Sequence, residues 1–122
     1  MDEQNYTHKD LDVWKLSMEL VLLVYRVTEK FPSKEQFGLT NQIRRSAVSI
    51  PSNIAEGSAR KGNTEYIQFL YVSLGSHAEL ETQLLIASGL KYLTKAEFDE
   101  LNGLLQKTGK LLNGLIRYRK TK

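Results

Sequence analysis

The sequence contains no cysteine, only two prolines, and no apolar stretch of membrane-spanning length. Without cysteine, disulfides, thiolate metal sites and cysteine nucleophiles are excluded, and the composition fits a reducing cytoplasm. The longest early apolar run, Leu20 to Tyr25, is six residues, against the roughly 20 that a membrane helix needs. Met1 is followed by Asp2-Glu3-Gln4-Asn5, which lacks the basic start and apolar core of a signal peptide, so a cytoplasmic protein with no membrane partner is expected.

Catalytic motifs are also missing. There is no Walker loop, no G-x-G-x-x-G and no G-x-S-x-G elbow, and Gly57, Gly62 and Gly75 are isolated. His77 and Glu81 stand four apart, as two ligands on one helix face do, but a metal site needs a third and usually a fourth, and only His8 remains among the histidines. Glu79 and Glu81 are two apart and point to different helix faces, which is poor geometry for an acid/base pair. The expectation is a protein with no catalytic residue, no cofactor and no metal.

Strong net charge is lacking too, since the sum is +3 over 122 residues. Its distribution is uneven. Residues 101 to 122 carry Lys107, Lys110, Arg117, Arg119, Lys120 and Lys122 with no acid, while the first 100 residues are net acidic. Such a basic segment touches polyanions in some proteins and is a solvated end in most.

What the chain does contain is helical periodicity. A first helix is expected from about Asp10 to Lys30, ended by Phe31-Pro32 because the residue before proline is pushed out of the α region. Ser33 and Gln36 form a candidate capping box for a second helix, whose apolar line is Leu39, Ile43, Ala47, Ile50 and Ile54. Asn63 or Thr64 opens a third helix reaching about Leu90. Thr94 and Glu97 form another capping box before a fourth, with Phe98, Leu101, Leu105, Leu112 and Leu115 as its seam. Short links between helices of about 20 residues, each roughly 30 Å long, predict an all-α, antiparallel up-down four-helix bundle in one domain spanning residues 1–122. Trp14 and the tyrosines fall mainly at core spacing and read as packing residues.

The third helix carries two apolar lines, one through Tyr66, Leu70, Leu80, Leu84 and Ala87, the other through Ile67, Tyr71, Leu74, Ala78 and Leu85. Helices that are apolar on two sides usually bury both, which predicts contact with another chain; a wide core in a monomer is the alternative.

The stretch Arg44 to Arg60, "RRSAVSIPSNIAEGSAR", sorts into faces at 100° per residue. Beside the core line runs a stripe of small residues, Val48, Ser52, Ala55 and Ala59, and then a polar line of Arg45, Ser49, Asn53, Glu56 and Arg60. Arg44 stands on the border of the core. The core line keeps its phase across Pro51, which predicts one helix kinked at that residue rather than a break; an interior proline costs about 3 kcal/mol or more, so packing must offset it. Glu56 and Arg60 are spaced to pair, and Arg45 is free to meet an acid on a neighbouring subunit.

"FGLTNQIRRSAVSIPSNIAEGSAR", followed by "EYIQFLYVSLGSHAELETQLLIA", closely resembles the bacterial four-helix-bundle proteins encoded within intervening sequences of large-subunit ribosomal RNA genes. The same fold is used by the accessory variability protein of diversity-generating retroelements. The resemblance covers about residues 10 to 118, with Ser46 standing where alanine is common. It implies a homopentamer of four-helix protomers, no catalytic activity and a mostly unassigned function. It also implies, from the retroelement relative, RNA or DNA, or a reverse transcriptase or other nucleic-acid-processing protein, as partner. The family signature falls on Arg44, Arg45, Pro51, Asn53, Glu56 and Gly57, and with Arg60 these are the candidate subunit-interface residues. Lys107, Lys110, Arg117, Arg119 and Lys120 are the candidate nucleic-acid contacts. A purely structural oligomer that docks another protein, with no nucleic-acid role, is the competing expectation.

Overall fold

Thr94 and Glu97 close on one another as their spacing predicts. The Thr94 hydroxyl accepts from the Glu97 amide at 3.1 Å, and Glu97 Oε1 accepts from the Thr94 amide at 2.8 Å, so two amides that the helix start leaves open are satisfied together. The computed structural model describes residues 7–122; the acidic start and Tyr6 lie outside the described residues. It contains four helices, α1 (Asp12–Thr28), α2 (Leu39–Ser58), α3 (Asn63–Gly89) and α4 (Lys95–Lys120), with 3-10 turns at His8–Asp10 and Ser33–Glu35. Among the described residues there is no strand.

The start of α2 differs from expectation. Ser33 and Gln36 do not cap it, because Pro32 leads the chain into the 3-10 turn Ser33–Glu35 and the helix begins only at Leu39, after Gly38. Its first amide is satisfied by Glu35, whose Oε1 accepts from the Leu39 N–H at 3.2 Å. The same carboxylate accepts from the Tyr92 hydroxyl at 2.9 Å, so it ties the start of α2 to the turn beyond α3. At α3 the capping position is Gly62, and Asn63, the first helical residue, does not cap. The helix closes through Lys91 at φ 63°, with the Tyr92 amide donating to the Ala87 carbonyl at 2.9 Å, the wrapped hydrogen bond of a left-handed helix end.

Contacts between helices show the direction of each. Along α2, Ser46 meets Gln83, Ser49 meets Ser76 and Gly57 meets Tyr66 and Phe69, so numbers rise on α2 as they fall on α3. Asn63 meets Arg119 and His77 meets Leu105 across α3 and α4, and Lys30, in the turn just past α1, meets Glu97 at the start of α4. Arg44 of α2 reaches Tyr25 and Thr28 of α1. Each helix therefore runs antiparallel to its neighbours. Between them lies one core in which Leu20, Val24, Ile43, Ile50, Ile54, Leu70, Leu84, Leu105 and Leu112 are buried. Each such side chain contributes roughly 1.5–3 kcal/mol relative to exposure.

Pro51 is buried inside an unbroken α2, so the continuous helix forms and the break does not. Ala47, Ile50 and Ile54 all enter the core, and polar cross-links hold this part of α2 to α3. The Ser73 hydroxyl donates to the Ile50 carbonyl at 2.9 Å, and the hydroxyls of Ser49 and Ser76 lie 2.7 Å apart.

Candidate functional site

The signature on α2 is largely spent on packing its own protomer. Gly57 is buried where α2 crosses α3, and a Cβ there would sit 2.8 Å from Phe69 Cβ and 3.1 Å from the Tyr66 carbonyl oxygen. Arg44 turns toward the end of α1. Its Nε donates to Thr28 Oγ1 at 2.9 Å, one Nη donates to the Tyr25 carbonyl at 3.3 Å, and its guanidinium stacks 4.6 Å over the Tyr25 ring. A cation there satisfies a carbonyl that the helix end leaves open. Ser46, at the position that departs from the family pattern, shares a buried 2.7 Å hydrogen bond with Gln83.

The polar line divides. Ser49 and Asn53 are half-buried, with Asn53 Nδ2 donating to the Ser49 carbonyl at 2.8 Å. Glu56 and Arg60 form the expected pair at 2.6 Å on the surface, and Arg60 also lies 4.8 Å over the Phe69 ring. Arg45 is exposed, and among the described residues no carboxylate lies within 4.0 Å of it. It lines a polar recess between α2 and α3 with Asn41, Ser49, Ser76, Glu79 and Phe37. Phe37 is 88% exposed, the most open large apolar side chain among those described. The small stripe of α2 faces α1, where Val48, Pro51, Ser52 and Ala55 line an apolar groove with Trp14, Met18 and Val21.

The second apolar line of α3 is only partly covered within the protomer: Leu74 packs against the core and Ile67 is half-buried. Tyr71 is 45% and Leu85 56% exposed, and beside them Val72 and Ile86 are also open. The packing role expected of Trp14 and the tyrosines holds in part: Tyr66 is buried and Trp14 and Tyr92 pack against the core, whereas Tyr25, Tyr71 and Tyr118 are exposed. Each of these three carries a cation over its ring, Arg44, Lys120 and Lys122 respectively. A cation over the ring face lets a tyrosine stay at the surface with part of its apolar body covered.

The cations of α4 do not act as one group. Arg119 is committed internally: its Nε donates to Asn63 Oδ1 at 2.8 Å, Asn63 Nδ2 donates to its carbonyl at 2.7 Å, and its guanidinium lies 4.7 Å over Tyr66. Burial raises the Tyr66 hydroxyl pKa above its ordinary value, and the Arg119 charge opposes that rise. Lys107, Lys110 and Arg117 are exposed and have no ion-pair partner among the described residues. Lys110 and Arg117 line one groove of about 500 Å³ between α3 and α4, together with His77, Gln106, Gly109 and Asn113. His77 Nε2 lies 2.8 Å from the Leu105 carbonyl and is the donor there. Glu81 accepts from Gln106 at 2.9 Å, so the two candidate ligands four apart on α3 engage separate partners on α4. The charged members of the groove were legible from sequence. His77, Gly109 and Asn113 were not, and the one signal for them was a glycine in the middle of a long amphipathic helix.

Residues 9–114 match the family described as 23S rRNA-intervening sequence protein. The chain belongs to that family. A solved structure of an S23 ribosomal protein family member from Bacteroides thetaiotaomicron, described as of unknown function, is similar to it with a TM-score of 0.78 and 25% identity. The similarity covers 86% of this chain and 95% of that one. No curated protein matches. Neither the family description nor that of the structure names an enzyme. Among the described residues of this intervening-sequence protein, no helix is long and apolar enough to cross a membrane.

Proposed function

We propose that the protein is a non-enzymatic oligomeric adaptor that binds RNA or DNA through the cationic edge of α4. The observation that carries this reading is that Lys107, Lys110 and Arg117 are exposed on one helix with no ion-pair partner among the described residues, in a segment that contains no acid. Membership of a family encoded with ribosomal RNA is consistent with it. Cations held near phosphates release counterions, so binding must weaken steeply with salt. The test is a mobility-shift titration with structured RNA and with DNA at low salt. Wild type is expected to bind, and the triple change K107E, K110E and R117E is expected to lower affinity by roughly tenfold or more. Arg119 is left in place because it holds Asn63 and Tyr66. Absence of a shift at micromolar protein, or intact binding by the triple variant, overturns the reading.

A second reading, an oligomer that docks another protein and touches no nucleic acid, is favoured by one observation: the open apolar face of α3 with Tyr71, Val72, Leu85 and Ile86. Purification with a stoichiometric protein partner and no nucleic acid would support it. Both readings use self-association, and the family resemblance supplies five as the copy number.

A further inference from the structure

We infer that the α3–α4 groove is a subsite for the phosphodiester backbone of single-stranded nucleic acid, which rests on the reading of α4 as a nucleic-acid-binding edge. Gly109, which has no side chain, makes room for His77 in this groove. A Cβ at that position would lie 2.8 Å from His77 Nε2 and 2.9 Å from Cε1, in space the imidazole now occupies. The His77 ring thus forms a wall, fixed by its hydrogen bond to the Leu105 carbonyl, and Gly109 forms the floor. Lys110 and Arg117 stand on the rim about two turns apart, roughly 10 Å along the axis, and Asn113 sits between them with one amide hydrogen committed to the Gly109 carbonyl at 2.9 Å and the other free.

Among the described residues no carboxylate lines this recess. At its far end Gln106 holds Glu81, so the potential rises from that end toward the end of α4. In that direction Lys120 lies 5.2 Å from the centre of the exposed Tyr71 ring. A cationic groove that tracks the backbone, with an exposed aromatic ring on the same two helices, is a combination that binds single strands without reading sequence. The recess lies between helices, where an extended strand can lay single phosphates beside the rim cations and a duplex backbone meets mainly the outer surface.

The test uses the full chain and a labelled oligo(dT) and oligo(U), with a duplex of equal length as competitor, over a salt series. The pair K110Q and R117Q is expected to reduce affinity about tenfold and to lower the salt slope by about 1.4, two phosphate contacts at roughly 0.7 each. The pair K34Q and K61Q, an equal loss of charge on exposed residues elsewhere, is expected to change affinity less than twofold to threefold, roughly the scale of long-range charge alone. Asn113→Leu keeps the shape of the side chain and removes its free amide hydrogen with no change in charge, and is expected to lower affinity while leaving the salt slope intact. Circular dichroism confirms that each variant is folded. Equal effects of the two charge pairs, an unaffected Asn113→Leu variant, or competition by duplex as strong as by single strand each overturn the subsite while leaving the broader reading standing. Failure of wild type to bind any probe removes both.

Discussion

A methyl group on Gly57 would meet backbone as well as side chain, since the Tyr66 carbonyl oxygen lies 3.1 Å and Phe69 Cβ 2.8 Å from the position it would take. Glycine to alanine within a helix ordinarily gains about 1 kcal/mol, but overpacking a well-packed contact costs about 1–3 kcal/mol. Because Tyr66 and Phe69 are held at the start of α3, the cost should win, and Gly57→Ala is expected to lower unfolding free energy by about 1 kcal/mol or more in urea titration. A stabilised variant would show that the helix crossing is looser than its geometry implies. Glu97 sits at the opposite end of the bundle. The hydrogen bond from Lys30 and then the Thr94 amide hold its pKa below the ordinary 4.5. A carboxylate depressed in the folded state adds stability above its unfolded pKa and loses it as pH falls through the folded one. Glu97→Gln should therefore lower the thermal midpoint at neutral pH, and the gap from wild type should narrow as pH falls below 4.5. A gap that stays constant with pH would assign the effect to packing instead.

At the scale of the element, legibility followed locality. The Thr94 capping box involves residues three apart, and it formed as read. The continuity of α2 through Pro51 was visible because a core phase kept across a proline costs less to preserve than to rebuild. The start of α2 was not visible, because its cap comes from Glu35 within a 3-10 turn and is secured by Tyr92 from beyond α3. Arg44, on the border of the core, and Arg119, among the candidate nucleic-acid contacts, showed no partner in a one-dimensional pattern, and only the placement of Tyr25, Thr28, Asn63 and Tyr66 shows them engaged. The groove between α3 and α4 combines both cases. Lys110 and Arg117 share an edge by spacing alone, whereas His77 arrives from another helix.

For the whole molecule, the decisive quantity is mass in solution. One chain is 14.0 kDa, and a protomer that leaves Tyr71, Val72, Leu85 and Ile86 open on one helix and Phe37 open beside the next exposes large apolar side chains of the kind that association buries. Sedimentation is expected to give about 70 kDa, the mass of five chains of 14.0 kDa. A species near 14.0 kDa at working concentration would exclude a stable ring. That α3 is apolar on two sides was legible in the sequence, because periodicity reports how many faces are apolar; which of them the protomer buries was settled by the positions of α2 and α4.

Tyr66 has one more consequence. Its ring lies under Arg119 near the end of α4, and it lines a shallow recess with Thr7, His8 and Leu11 ahead of α1. Residues 8 and 119 are thus neighbours at one pole, while the turns bearing Phe37 and Lys91 lie at the other. A single probe placed beside residues 8 and 119 would therefore report on the start of α1 and the end of α4 together, while the opposite pole stayed unobstructed.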